Sequence, residues 1–193
     1  MKFTSKVLAG LLMLVGLLSA SPHAIDKAHS EVGFSVKHLM ITNVKGEFKE
    51  FDAKVDFDYK TKVFKSLEAT IKTKSIDTGI EKRDNHLRSA DFFLAQKYPE
   101  LKFVMKSYAK KSDDEGIMIG DLTIRGVTRE VKLEVEIGGT IKDLEGNNRV
   151  GFSLEGEIDR TKYGLKWNKA LEFGGIAVSE EVDIEVQVQA VEL

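Results

Sequence analysis

Long runs in which every second residue is apolar constrain this chain more than any other feature. A period of two collects apolar side chains on one face of a β-strand and scatters them around a helix. Val32, Phe34, Val36 and His38 share one such face, and Val44, Gly46 and Phe48 begin another. The phase then slips, because Phe51, Ala53, Val55, Phe57 and Tyr59 fall on odd positions. A β-bulge or a break between strands produces that slip. Leu67, Ala69, Ile71 and Thr73 continue the pattern, as do Leu101, Phe103 and Met105, then Met118, Gly120, Leu122 and Ile124. Val131, Leu133, Val135 and Ile137 predict a long strand that extends toward Ile141. Val150, Phe152, Leu154 and Ile158 follow, and Val182, Ile184, Val186, Val188 and Ala190 alternate with polar residues near the end.

The alternation stops once, after Ser75. Thr78-Gly79-Ile80-Glu81 has capping-box spacing, with Thr78 as N-cap and Glu81 at N3. A helix from about Gly79 to Arg88 is expected, then a short helical turn through Phe92, Phe93 and Leu94, ended by Pro99. Arg125-Gly126-Val127-Thr128 and Glu145-Gly146-Asn147-Asn148 read as turns. The fold class is therefore mainly all-β, with about eight strands and one helical insertion near one end. A closed antiparallel barrel satisfies this pattern without leaving an edge, and a two-sheet sandwich would show the same alternation.

The first residues have a different character. Lys2 and Lys6 precede twelve uncharged residues, Val7 to Leu18, and then small residues at Ser19, Ala20 and Ser21. That is the layout of a secretory signal peptide and is short of the roughly 20 residues that span a bilayer. Residues 1–20 are read as the signal and 21–193 as one domain, periplasmic or secreted. His23 falls close to the cleavage site and is discounted as a functional residue. The chain has no cysteine, hence no disulfide framework and no lipid-modified N-terminus of the lipoprotein kind. Its 29 Lys+Arg against 31 Asp+Glu leave a net charge of −2, which argues against a nucleic-acid partner. No later stretch is apolar enough for stable membrane insertion.

Several blocks resemble the YceI-like family of polyisoprenoid-binding proteins. They include Asp26-Lys27-Ala28-His29-Ser30, Phe34-Ser35-Val36-Lys37-His38 and Arg83-Asp84-Asn85-His86-Leu87-Arg88-Ser89-Ala90-Asp91-Phe92-Phe93. Leu122-Thr123-Ile124-Arg125-Gly126-Val127-Thr128-Arg129, Arg149-Val150-Gly151-Phe152 and Asp159-Arg160-Thr161-Lys162-Tyr163-Gly164 follow in order. One departure is Lys162-Tyr163 before Gly164, where the family often has Asp-Phe. The resemblance implies a lipocalin-like, eight-stranded antiparallel barrel that forms homodimers. It also implies a bound long-chain lipid: a polyisoprenoid, an isoprenoid quinone or a fatty-acid amide. It brings no catalytic residues and no cofactor.

The residues themselves supply little chemistry. The four histidines show no metal-ligand spacing, and Asp84 and His86 point apart on a helix. Asp84, His86 and Arg88 are expected to tie the helix over one barrel end. Inward parity, together with the resemblance, nominates Phe34, Val36, Phe48, Phe57, Ile71, Phe103, Met105, Leu122, Ile124 and Phe152 as ligand-binding, with Phe92 and Phe93 at the covered end. His38, Trp167 and Asn168 are candidates for the polar mouth. A hydrolase or isomerase acting on such a lipid, and a structural barrel with a filled core, are the alternatives. N-terminal sequencing of the native protein should begin near Ser21; an intact Met1 to Leu18 would refute export.

Overall fold

The structure is a computed structural model and describes residues 22–170, 172 and 174–193. The expected signal peptide lies outside the described residues. β1 (Pro22–Ile25) and β2 (Glu31–His38) are two pieces of one strand, separated by a 3-10 turn at Lys27–His29. β3 (Thr42–Phe48) and β4 (Phe51–Asp58) are likewise two pieces, pairing with β2 and β1 respectively. β5 (Val63–Lys72), the two-residue β6 (Ile76–Asp77), helix α1 (Glu81–Arg88) and β7 (Glu100–Lys110) follow. β8 (Glu115–Ile124), β9 (Val127–Lys142), β10 (Asn148–Asp159) and β11 (Val178–Glu192) complete the meander. All the pairings are antiparallel. β11 closes the sheet, because Ile184 lies opposite Phe34 of β2 and Ala190 opposite Ile25 of β1. The result is a closed eight-stranded antiparallel barrel, with β2, β3 and β6 prolonging it at one end.

The slip in phase after Phe48 is a real break. Lys49 N–H donates to Ser75 C=O at 3.1 Å and Glu50 N–H to Ser75 Oγ at 2.9 Å, so donors that leave the ladder are satisfied elsewhere. A second irregularity falls between Met105 and Ser107 of β7. It resets parity, so Leu101 and Phe103 are buried while Tyr108, at an even position, packs on the same core. Ile141 does not continue the buried face of β9 and is exposed.

The helix forms, but not by the expected cap. Ile80 is the N-cap residue and provides no side-chain bond. Asp84 instead sits buried and accepts hydrogen bonds from Thr78 N–H at 2.9 Å and from the Thr78 hydroxyl. The carboxylate of the first turn thus reaches back and ties down the segment that enters the helix, with favourable alignment to the helix dipole, while Thr78 donates to it instead of capping. Residues 89–98 fold as successive turns rather than a second helical turn, with Leu94 at φ +48°.

Glycine matters where rings cross the sheet. A Cβ on Gly46 would lie 2.5 Å from the Phe34 ring, and one on Gly120 would lie 2.3 Å from the Phe103 ring. Each aromatic side chain lies over a glycine of the neighbouring strand. Phe57, fully buried, belongs to the most tightly packed part of the core. Phe57→Ala should cost about 3–5 kcal/mol in urea unfolding. Val186→Ala, at a partly buried position, should cost clearly less; equal losses would contradict the uneven packing described next.

Candidate functional site

The barrel interior divides into a filled half and a hollow half. The filled half gathers Phe57, Tyr59, Phe64, Tyr108 and Phe152. Ring centroids are 4.9 Å apart for Phe57 and Phe64, 4.8 Å for Phe64 and Phe152, and 5.3 Å for Phe64 and Tyr108. His23 closes this end. It is only 2 % exposed, and its Nε2 lies 2.8 Å from the Tyr59 hydroxyl. Discounting His23 as a cleavage-site residue is thus corrected: β1 starts at Pro22, and His23 is part of the core. Burial, with the charge of Glu192, pushes the Tyr59 hydroxyl up to about 12. Phe64 and Tyr108 escaped the sequence reading because a bulge lies just before each relevant run of parity.

The other half is lined by smaller aliphatic side chains. Val32, Val36, Ala69, Val131, Val182 and Val186 leave the interior unfilled, and a cavity of about 200 Å³ remains. Of the residues nominated from the sequence, Phe34, Val36, Phe48, Ile71, Phe92, Phe93, Phe103, Leu122 and Ile124 line this cavity. Leu67, Leu87, Leu101, Leu133, Leu154, Ile158, Tyr163, Leu165, Val178 and Ile184 join them. Several of these have inward parity, which does not by itself distinguish the hollow half from the filled one. Phe57 and Phe152 are placed in the filled half, because parity reports direction across the sheet and not height along the barrel axis. Met105, at the bulge, is half-buried against the core and away from the cavity wall.

The mouth candidates fall beside the cavity. His38 ends β2 opposite Val178 and Thr42 and does not reach the lining. Asn168 bridges backbone: its Nδ2 donates to Val178 C=O at 2.8 Å, and its Oδ1 accepts from Val178 N–H at 3.2 Å. Trp167 packs over the end, its ring centroid 5.3 Å from Phe92 and 5.0 Å from His86. His86 Nε2 lies 2.8 Å from Asp91 Oδ2. Trp167, Phe92 and His86 therefore form an aromatic cover over the hollow end.

Arginines bonded to main-chain carbonyls hold that cover down. Arg88 reaches from α1 to Lys74 C=O at 2.8 Å and Ile76 C=O at 2.7 Å. Arg125 donates to Phe92 C=O at 2.9 Å and Gly164 C=O at 2.8 Å. Arg160 is 5 % exposed and donates to the carbonyls of Ser179, Leu165, Trp167 and Val178. Burial holds its guanidinium below the usual arginine range. Arg160 also touches the cavity, where it is the one charged side chain of the lining among the described residues.

Residues 23–190 match the family model described as the YceI-like domain. The chain belongs to the YceI-like family. A UPF0312 protein of Staphylococcus epidermidis is 41% identical over 165 residues, covering 85% of this chain and 94% of that protein. The YceI protein of Campylobacter jejuni superposes with a TM-score of 0.74 at 42% identity, covering 88% of this chain and 96% of that one. A polyisoprenoid-binding domain from Saccharophagus degradans shares the fold, with a TM-score of 0.59 at 13% identity over 91% of this chain and all of that one.

The polar residues of the YceI-like blocks now have places. Asp84, Arg88, Arg125 and Arg160 fasten the cover. Asp26 and Arg149 meet across the filled end at 2.9 Å, and Arg149 continues to Asp143 at 2.7 Å, which holds the Asp143 carboxyl down at about 2. A hydrogen bond to a charged group contributes about 1.5–3 kcal/mol. Arg125→Ala should therefore speed amide exchange in residues 89–98 and 164–168 by roughly tenfold or more while β9 and β10 stay protected. Unchanged exchange in those segments would show that Arg125 does not hold the cover.

Proposed function

We propose that this protein is a non-enzymatic binding protein, exported to the periplasm or beyond, that holds the apolar part of a long-chain lipid in the hollow half of its barrel. The ligand class is a polyisoprenoid, an isoprenoid quinone or a fatty-acid amide, and the protein acts as a homodimer in carriage, storage or scavenging. The observation that carries this reading is the cavity itself: about 200 Å³ walled by aliphatic and aromatic side chains, with Arg160 as its single charge among the described residues. Arg160 already donates to four carbonyls, which suits positioning better than chemistry. Its positive charge disfavours a cationic head group and tolerates a neutral or anionic one. The polyisoprenoid-binding description of the Saccharophagus domain and the shared family support the same class.

Size sharpens the proposal. Drug-sized sites enclose roughly 300–1,000 Å³, and this cavity is smaller. A chain of about 40 carbons cannot lie wholly inside without displacing rings such as Phe93, and part of it must leave through the cover. Each buried methylene contributes roughly 0.8 kcal/mol, so about ten of them contribute roughly 8 kcal/mol before ordering costs. Affinity should rise with chain length and then level off when the hollow is full. The measurement is displacement of a fluorescent lipid by isoprenoids and fatty amides of graded length. Ile71→Trp, which fills the lining, should move the plateau to shorter chains. Affinity indifferent to length in both proteins would overturn the apolar-cavity reading.

A further inference from the structure

The wall of the hollow has almost no polar group left to give. Its lining side chains are aliphatic or aromatic hydrocarbon except at Arg160 and Tyr163. Arg160 spends Nε on Ser179 C=O at 2.7 Å and Nη2 on Val178 C=O at 3.1 Å, and Nη1 on the carbonyls of Leu165 and Trp167. A guanidinium carries five N–H groups, so these four bonds leave one. Tyr163 brings a hydroxyl, and the charge that acts on it is exposed Arg129, which donates to Lys162 C=O at 2.8 Å. The neighbours are committed too. Asn168 is tied to Val178 through both ends of its amide, and Arg125 is tied to the carbonyls of Phe92 and Gly164. Strand N–H and C=O groups lie in the sheet, where the β2–β11, β9–β10 and β10–β11 ladders use them.

A polar group carried into this hollow loses its water and gains little in exchange. Burial without a hydrogen-bond partner disfavours a hydroxyl or an amide, whereas every methylene gains from burial. The volume of about 200 Å³ adds a second constraint, because a long chain can seat only one of its ends there. The two ends of an amphiphile therefore compete for the same space, and the wall favours the end without polar atoms.

We propose that the ligand is held tail-first, with the unsubstituted end of its chain in the hollow and its head group outside the barrel. This rests on the lipid-holding reading and adds the rule by which the site selects. What is recognised is the apolar terminus. The ligand class is any long chain whose far end carries no polar group, and it includes hydrocarbons that have no head group at all. Chains hydroxylated or carboxylated at the far end are excluded. Arg160 is then a fastener of the cover and not a head-group receptor. The reversed orientation makes the opposite demand. It sets the head group beside the remaining N–H of Arg160, where a carboxylate is favoured over an amide.

The test is fluorescence titration of the mature chain with two probes built on one long saturated amide. One carries a charged dye at the amide end and the other carries it at the terminal carbon. The first should bind saturably, and the second should bind about tenfold more weakly or worse. Unlabelled chains of equal length then compete with the first probe. Acid, amide and methyl ester should agree within about threefold, and a hydroxyl on the terminal carbon should weaken competition by about tenfold. Ile71→Trp, which fills the hollow, should weaken the head-labelled probe while the circular dichroism spectrum stays that of a folded barrel. A terminally labelled probe that binds as well as the head-labelled one would overturn the tail-first arrangement and leave the lipid-holding reading standing. So would an acid that competes far better than the amide while a terminal hydroxyl has no effect. Failure of both probes and all the chains to bind would overturn the lipid-holding reading, and the orientation with it.

Discussion

Closure of the sheet on β11 is the constraint from which the rest follows. One long strand receives β2 along its first part and β1 along its last, so the barrel has no open edge and every inward side chain shares one interior. Eight strands enclose a space that side chains can just fill or just fail to fill. Here both happen. Stacked rings occupy the end near β1, while valines and an alanine at the β2 end are too small to meet across the axis. The hollow is therefore a consequence of side-chain volume at fixed strand number, not of any special motif.

The hollow end also has to be covered, and turns rather than strands cover it. Such segments carry carbonyls that no ladder satisfies. Arg88, Arg125 and Arg160 meet that need: Arg88 ties α1 to Lys74 and Ile76, Arg125 joins the carbonyls of Phe92 and Gly164, and Arg160 joins Leu165 and Trp167 to Val178 and Ser179. A planar guanidinium with several fixed donors suits this better than lysine would. These polar bonds act together with apolar packing, because Phe92, Tyr163 and Leu165 of the covering segments are buried in the core.

Strand parity was legible because it depends only on neighbours in sequence. The buried run Val131, Leu133, Val135, Ile137 and the phase slip after Phe48 both follow from it. Height along the barrel was not legible, since Phe57 in the filled half and Phe48 at the hollow share the same kind of alternation. Bulges reset the parity that should have exposed Tyr108. Thr78 had the spacing of a cap, yet it lies before the helix and donates to the buried Asp84 carboxylate, and Ile80 stands at the cap position without a side-chain bond. The Leu39-Met40 turn gave no signal, because neither residue favours a left-handed backbone. The family blocks identified the fold, but their polar residues turned out to be fasteners, and the cavity wall is built from residues with no distinguishing motif.

The central claim is that the hollow half is a lipid site. Native mass spectrometry of gently purified protein, followed by organic extraction and identification of what is released, tests it most directly. A long-chain lipid bound at one per barrel, and lost when Ile71→Trp fills the cavity, is the expected result. A barrel of bare polypeptide mass that also refuses isoprenoids and fatty amides added in solution would contradict it.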